Sequence, residues 1–217
     1  MVPVGSLTYY GSRLGWPDWL YTGSSLAGQD GPPPPHISTA DDLIISANLF
    51  AHVGAAALAV QSISGPQPAA GSVTRLALAH APTLKEIFSY LRRMLYLSSP
   101  HSRPVMGIAD ETVFIGLDGA VPLGGLLDYL GLLFIAFHYR VIDDLNFADA
   151  AGATITLTLP EGPDSAALKQ LFRCDVRFGA AANRLFMPAA WLELSNPGHD
   201  AQLWAIAGER LRAAEAH

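Results

Sequence analysis

The sequence of 217 residues is poor in charged residues and in cysteine, and each shortage excludes a class of protein. Charged residues make up 15% of the chain, against ~25% in ordinary soluble domains, which excludes a highly charged disordered chain. The net charge of −6 excludes the basic surface of a nucleic-acid-binding domain, so we expect no direct contact with nucleic acid. The single cysteine, Cys174, excludes a disulfide framework and a CxxC metal site.

Long uninterrupted apolar segments are also missing, although apolar residues make up 50% of the chain. The longest candidate covers residues 124–137 and is interrupted by Asp128, whereas a membrane span needs ~20 apolar residues. The N-terminus has no basic start followed by an apolar segment, so we expect no signal peptide, no membrane partner and a cytoplasmic location. The low charge favours either an oligomer with little exposed surface or a large apolar cavity.

The familiar catalytic and cofactor patterns are absent as well. The sequence has no glycine-rich phosphate loop, no GxSxG and no HExxH, and its seven histidines show no metal-ligand spacing. We therefore expect neither a cofactor nor a metal. Arg173 and Arg177 flank Cys174 and are able to lower a thiol pKa, but a small packing residue is the commoner explanation of such a cysteine.

The hydrophobic periodicity and the turn residues of the sequence predict one α+β domain. A small, mostly antiparallel sheet is expected to pack with helices, one of them long, apolar and central. Residues 1–35 are interpreted as an irregular arm rich in glycine and proline, and residues 36–217 as the domain itself. The arm carries five aromatic residues within thirteen positions, which we expect to pack on the domain, on a ligand or on a second subunit: Tyr9, Tyr10, Trp16, Trp19 and Tyr21.

Helix starts and turns divide the rest of the chain. Ser38 or Thr39 is expected to cap one helix and Thr83, with Glu86 three residues later, a second. Residues 55–63 are ambiguous between helix and strand, and residues 65–71 read as a loop. A hairpin is predicted at 105–109 and 112–117, strands at 154–159, 175–178 and 185–187, and helices at 164–172 and 201–214.

The predicted central helix, residues 122–141, carries the candidate site. Asp128 and His138 are polar groups in an apolar helix, so each needs a partner or an exposed edge, or lines a pocket for a mostly apolar ligand. Gly131 leaves room for a close approach. The candidate ligand-binding residues are Asp128, Gly131, Leu132, Phe134, Ile135, His138 and Tyr139 of this helix, with Tyr9, Tyr10 and Trp19 of the arm.

Arginines near the second capped helix suggest one further possibility. Arg92, Arg93 and Arg103 are able to bind a carboxylate. Arginines on a solvated helix face are far commoner, so the sequence alone favours that simpler interpretation.

Two stretches carry a family resemblance. Residues 81–91 (APTLKEIFSYL) resemble a helix written "sPTL-xEAL-xxL", and residues 171–180, with Asn183 and Leu185, resemble "yxxlFgcpVrFgaxxNxLxF". Trp191, Leu192 and Asp200 continue the second pattern. In this stretch Gly179 permits a tight turn, and Asn183 is expected to tolerate a left-handed conformation. The chain thereby resembles the N-terminal arabinose-binding type domain of AraC/XylS-family transcription regulators over residues 36–217.

This resemblance implies a domain that binds a small, largely apolar effector and forms a homodimer. Regulators of the family continue with a helix-turn-helix domain of about 100 residues, which the sequence up to His217 does not contain. The aromatic arm stands in place of the usual opening helices of the family. The family's typical sequence segments are matched only weakly near residues 55–63 and 75–80.

The alternative is a standalone enzyme derived from the same domain. A cavity that binds a metabolite becomes a catalyst when it gains an acid or a base. Asp128, as a buried carboxyl group, and His138, which titrates near neutral pH, are the candidate catalytic residues. The absence of cofactor motifs suits a cofactor-independent cyclase or isomerase in a biosynthetic pathway.

Overall fold

A computed structural model describes residues 1–64 and 73–216 and places eight α-helices and two sheets in them. The helices are α1 (Gly5–Leu14), α2 (Thr39–Val53), α3 (Ala55–Ser64), α4 (Val73–His80), α5 (Leu84–Ser98), α6 (Leu126–Asp144), α7 (Ser165–Leu171) and α8 (Ala201–Glu215). The strands are β1 (Val2–Pro3), β2 (His36–Ile37), β3 (Ser102–Ala109), β4 (Thr112–Gly119), β5 (Thr154–Thr156), β6 (Asp175–Arg177) and β7 (Arg184–Pro188).

The larger sheet has the strand order β3-β4-β7-β5-β6. Its neighbouring strands are antiparallel except for β5 and β6, which are parallel. The α+β class and the mostly antiparallel sheet are therefore confirmed. The hairpin of β3 and β4 is longer than predicted, because pairing extends back to Ser102 and Gly119. Asp110 forms its turn with a φ of 52°, a conformation that aspartate tolerates better than most residues.

Two of the predicted helix starts are confirmed. The Ser38 hydroxyl accepts a hydrogen bond from the backbone N–H of Asp41 at 3.0 Å, and Thr83 accepts one from Glu86 at 3.3 Å. Each cap satisfies a backbone donor that the first turn of a helix leaves unpaired. These caps fix where α2 and α5 begin.

Helix α6 packs against α3 and β4. It begins at Leu126 rather than at the predicted residue 122, because Gly124 adopts a left-handed φ of 55° and interrupts the helical path. Nine of its 19 residues are buried. The second half of the helix, from Gly131 onwards, lies beside the larger sheet and positions the site described below.

The prediction of an irregular N-terminal arm was wrong. Residues 1–35 contain β1, α1 and a 3-10 helix at Asp18–Tyr21, and β1 pairs with β2 through Val2 and Ile37. Glycines within α1 hid the helix from propensity arguments. Gly11 is needed there because the indole of Trp16 packs so closely that a Cβ would clash with it. The division of the chain at residue 35 stays a prediction.

The arm packs on its own domain rather than standing free. Tyr10 and Tyr21 are buried in a second core that includes residues of α2 and α3 and the first turns of α6. We call this core the N-terminal aromatic cluster; its buried members are Val2, Val4, Leu7, Tyr10, Leu20, Tyr21, Ile37, Ile45, Leu49, Leu58 and Tyr129. The larger core lies between the sheet and α4, α5 and α6.

Other expectations are settled by the described residues. Residues 55–63 are helical, as part of α3, and α4 is a helix that the sequence did not predict. The strand predicted at 154–159 ends at Thr156, because Thr158 donates its backbone N–H to the Asn183 side chain instead of to a strand. The predicted loop at 65–71 lies outside the described residues.

No single described helix is both long and apolar enough to cross a membrane. The pair formed by α2 and residues 55–61 of α3 has the length and composition of a membrane span. The two helices are, however, bent by 101° where they meet.

Candidate functional site

Two cavities adjoin each other beside the second half of α6. The first, called the hairpin cavity, has a volume of about 200 Å³ and lies between α5, the β3–β4 hairpin and α6. The second, called the helix cavity, has a volume of about 320 Å³ and lies mainly between α5 and α6. Phe134 and His138 line both, and we call the two cavities together the groove.

The helical repeat of α6 explains why these two side chains meet. Phe134 and His138 are four residues apart, so they lie on one face of the helix. Their ring centroids are 4.0 Å apart, and Phe88 of α5 approaches the same imidazole at 5.4 Å. The planes of the Phe134 and His138 rings are tilted by 36°, and the pair lies where the two cavities adjoin.

His138 and Ser102 are the buried polar residues among the described residues that line the groove, and His138 is the one that lines both cavities. Its Nδ1 lies 2.8 Å from the backbone oxygen of Phe134. Because a carbonyl oxygen only accepts, Nδ1 carries the proton and donates it, and Nε2 of the neutral ring is an acceptor. Burial lowers the pKa of His138 to about 4, while the hydrogen bond to Phe134 opposes that shift. The imidazole is therefore neutral at pH 7.

The walls of the groove are mostly apolar. Val105 and Ile115 of the hairpin and Phe88 of α5 line the hairpin cavity, and Leu91 and Leu133 line the helix cavity. Both volumes together fall in the range of small-molecule pockets, ~300–1,000 Å³, in which a few polar groups orient a mainly apolar ligand.

Polar side chains from α5 line the hairpin cavity. Lys85, Ser89 and Arg92 recur at helical spacing, so they share one face, and all three are exposed. Lys85 forms an ion pair with Glu193 at 3.3 Å. The spacing of these residues was visible in the sequence, but only the structure reveals that a cavity lies beneath this face.

Three of the predicted α6 residues lie in the solid core. Leu132, Ile135 and Tyr139 are at most 2% exposed and pack in the larger core. Their packing therefore holds α6 in place beside the groove. A role for them in ligand binding stays a prediction.

Asp128 does not fit its predicted environment. It was expected to be embedded in an apolar helix, but it is exposed in the first turn of α6. It also lies ten residues from His138, which is about 15 Å along a helix axis. The two groups are therefore too far apart to act together on one small centre, and a catalytic role for either one alone stays a prediction.

The close approach of the Asn183 side chain explains why a glycine is found at position 131. A Cβ on Gly131 would lie 2.9 Å from the Asn183 side-chain nitrogen. That nitrogen donates to the backbone oxygen of Asp128 at 2.9 Å, and the Asn183 oxygen accepts from Thr158 at 2.9 Å. Asn183 thus clamps α6 to the sheet, and the expected left-handed conformation is not found there. Gly179 does adopt a positive φ, of 68°.

The aromatic candidates of the arm lie in or against the N-terminal aromatic cluster. The hydroxyl of Tyr9 donates to the backbone oxygen of Gln61 at 2.7 Å, and that of Tyr10 donates to Leu58 at 3.2 Å. Trp19 stacks on His52 with the ring centroids 4.2 Å apart. A contact of these three residues with a ligand stays a prediction.

The environment of Cys174 favours the packing role. Burial raises the pKa of its thiol to about 12, and the carboxylate of Asp175 acts in the same direction. Arg173 pairs with Asp143 and Arg177 pairs with Asp175, so the flanking arginines are engaged elsewhere. Within residues 1–64 and 73–216, no group of three His, Cys, Asp or Glu side chains is placed to hold a metal ion.

Comparison with known proteins places the chain in a family. The family model for the N-terminal arabinose-binding domain of AraC transcription regulators matches residues 33–196, which is 164 of the 217 residues. No curated protein sequence matches the chain.

A solved structure shares the fold. The transcriptional regulator CdpR from Pseudomonas aeruginosa superposes with a TM-score of 0.55 at 20% sequence identity. The match covers 87% of this chain and 62% of that regulator, so the chain spans less than two thirds of its length. From its family match, this chain belongs to the family of N-terminal arabinose-binding domains of AraC transcription regulators.

Proposed function

We propose that the chain binds a small, largely apolar effector in the groove beside His138 and acts as the sensing part of a transcription regulator. One observation carries the proposal: the neutral imidazole of His138 separates two apolar cavities, and its Nδ1 is engaged by its own helix. Nε2 is thereby directed to act as an acceptor for a donor group of the ligand.

The position of the groove suits a sensor. It is bounded by α5, α6 and the hairpin, so a bound molecule contacts three separate elements at once. A ligand that binds one arrangement of these elements better than another shifts their equilibrium by its differential affinity. The proposed effector acts through such a shift.

A blocking substitution tests this proposal. Ser89→Trp places an indole in the mouth of the groove at an exposed position. Octan-1-ol is expected to raise the Tm of the unmodified chain and to leave that of Ser89→Trp unchanged. The matched control is Ser12→Trp, at an exposed site of α1, which is expected to keep the full shift. Equal shifts in all three proteins would place the binding site elsewhere.

Self-association, which the family resemblance implies, is part of the same proposal. Met106 and Ile108 on the edge strand β3 are 49% and 64% exposed, and unpaired sheet edges readily pair with another chain. Ile108→Lys is expected to convert a dimer to a monomer in sedimentation velocity. A monomeric unmodified chain would contradict this part. A cytoplasmic location likewise stays a proposal.

A further inference from the structure

The mouth of the hairpin cavity is cationic, although the whole chain is acidic. Lys85 and Arg92 line it on α5, seven residues apart, which is about 10 Å along the helix axis. Ser89 lies between them with a hydroxyl group. The side chains that line the two cavities of the groove, within the part of the chain that is described, include no carboxylate. A chain with a net charge of −6 therefore presents positive charge at this opening.

Arg92 is the better placed of the two cations. Among residues 1–64 and 73–216, no ion pair or hydrogen bond joins its guanidinium to a protein group, and the side chain is exposed. A guanidinium has five N–H donors in a planar fork that matches a carboxylate with two parallel hydrogen bonds. The fork of Arg92 is therefore available to an incoming anion.

Lys85 has a partner that is easily exchanged. Its ammonium group lies 3.3 Å from Glu193, but the two side chains are 58% and 69% exposed. Ion pairs of this kind contribute little to stability because water and salt screen them. A ligand anion is able to compete with Glu193 for Lys85, and the serine hydroxyl between the two cations adds a donor.

The remainder of the groove accepts no second charge. Beyond the mouth, the ligand meets Phe88, Ile115 and Phe134, and then the neutral imidazole of His138. Burying an unpaired charge among such side chains is strongly unfavourable. The charged group of a ligand must therefore stay at the mouth while an uncharged part enters.

We propose that the effector is an amphipathic monocarboxylate, whose carboxylate binds Arg92 and Lys85 while its uncharged, mostly apolar part lies in the groove against Phe134 and carries the donor group that Nε2 of His138 accepts. This inference rests on the proposed function, because it assigns a chemical class to the ligand of that site. The positive mouth also steers anions toward the opening and disfavours amines.

8-Hydroxyoctanoate and octan-1-ol test the inference, because both carry a hydroxyl donor for Nε2 of His138 on the same apolar chain and only the first carries a carboxylate. Calorimetric titration of the unmodified chain is expected to give a Kd for 8-hydroxyoctanoate at least tenfold lower than that for octan-1-ol. Arg92→Gln is expected to remove this preference and to leave the affinity for octan-1-ol unchanged. Lys85→Gln is expected to reduce the preference by a smaller factor, because Glu193 shares that charge.

The control and the adverse outcomes separate the two proposals. Arg210→Gln removes an exposed arginine of α8 outside the groove and is expected to change neither affinity. Equal affinities for the two probes, or an affinity for 8-hydroxyoctanoate that Arg92→Gln does not alter, would overturn the assignment of a carboxylate while the groove remained a binding site. Failure of both probes to bind, or binding that Ser89→Trp does not block, would overturn the proposed function and this inference with it.

Discussion

The N-terminal aromatic cluster and the groove both use α6, but they differ in how completely the protein engages their polar groups. In and beside the cluster, the hydroxyls of Tyr9, Tyr10 and Tyr21 each donate to a backbone carbonyl. In the groove, His138 engages one ring nitrogen with its own helix and lies between two cavities. Aromatic richness therefore does not identify a ligand site. A cavity beside a partly engaged polar group is the better indication.

The largest expected difference between the two regions is in stability. Tyr129 is 2% exposed and stacks on Phe50 with the ring centroids 5.7 Å apart, so Tyr129→Ala leaves a void in a filled core. The free energy of unfolding is expected to fall by about 3–5 kcal/mol. Phe134 already borders cavities, and Phe134→Ala is expected to lower it by about 1–2 kcal/mol. Urea unfolding measures both values, and equal losses would contradict the contrast between the regions.

His138 makes the groove sensitive to acid. Its pKa is about 4 in the folded chain, against ~6.5 in an unfolded chain. Below pH 6.5 the unfolded chain binds more protons, so the free energy of unfolding falls as the pH drops from about 6.5 to about 4, by about 3 kcal/mol in total.

The matched variant for this effect is His138→Phe, which keeps a ring of similar size without a titrating group. Urea unfolding at several pH values is expected to show a flatter profile for it. Some slope remains, because burial also lowers the pKa of His101. An unchanged slope would mean that His138 does not carry the acid sensitivity.

Asp42 of α2, whose charge acts on Tyr129 of the N-terminal aromatic cluster, has the opposite response to pH. Burial raises the pKa of this carboxyl to about 6, against ~3.9 in an unfolded chain. The folded chain then binds more protons between these values, so this group alone makes the free energy of unfolding rise as the pH falls from about 6 to about 4.

Asp42→Asn tests that sign. Above pH 7 the variant no longer buries a negative charge, and its free energy of unfolding is expected to exceed that of the unmodified chain by about 1–2 kcal/mol, a value reduced for partial exposure. At pH 4 the difference is expected to disappear. A variant that is less stable at both pH values would show that the Asp42 carboxylate has a stabilising partner.

The sequence predicted the parts of the fold that local patterns determine. The caps of α2 and α5, the hairpin and α8 follow from hydroxyl residues, alternation and turn residues that act over a few positions. It missed α1 because packing against Trp16 compensates for an unfavourable glycine, and it overestimated the strand at 154–159 because the Asn183 side chain replaces a strand partner. The first error arises from side-chain packing between residues five positions apart, which propensity does not register, and the second from a contact 25 residues away in sequence.

The sequence predicted only part of the candidate site, because part of it depends on how the elements pack together. Phe134 and His138 were both proposed, and both line the groove. Helical periodicity gives the relative direction of side chains but not which face is open, so Leu132 and Ile135, now in the core, looked equally suitable. The contribution of α5 needed knowledge of where the hairpin lies, which no local pattern contains.

The imidazole nitrogens of His138 offer the most direct test of the account. In a ¹⁵N-labelled chain titrated with octan-1-ol at pH 7, the Nε2 resonance is expected to shift as its lone pair accepts a hydrogen bond, while Nδ1 and the backbone amides of Tyr10 and Tyr129 stay in place. Shifts confined to the N-terminal aromatic cluster, or an Nε2 resonance that does not move under saturating probe, would contradict the claim that the groove beside His138 is the ligand site.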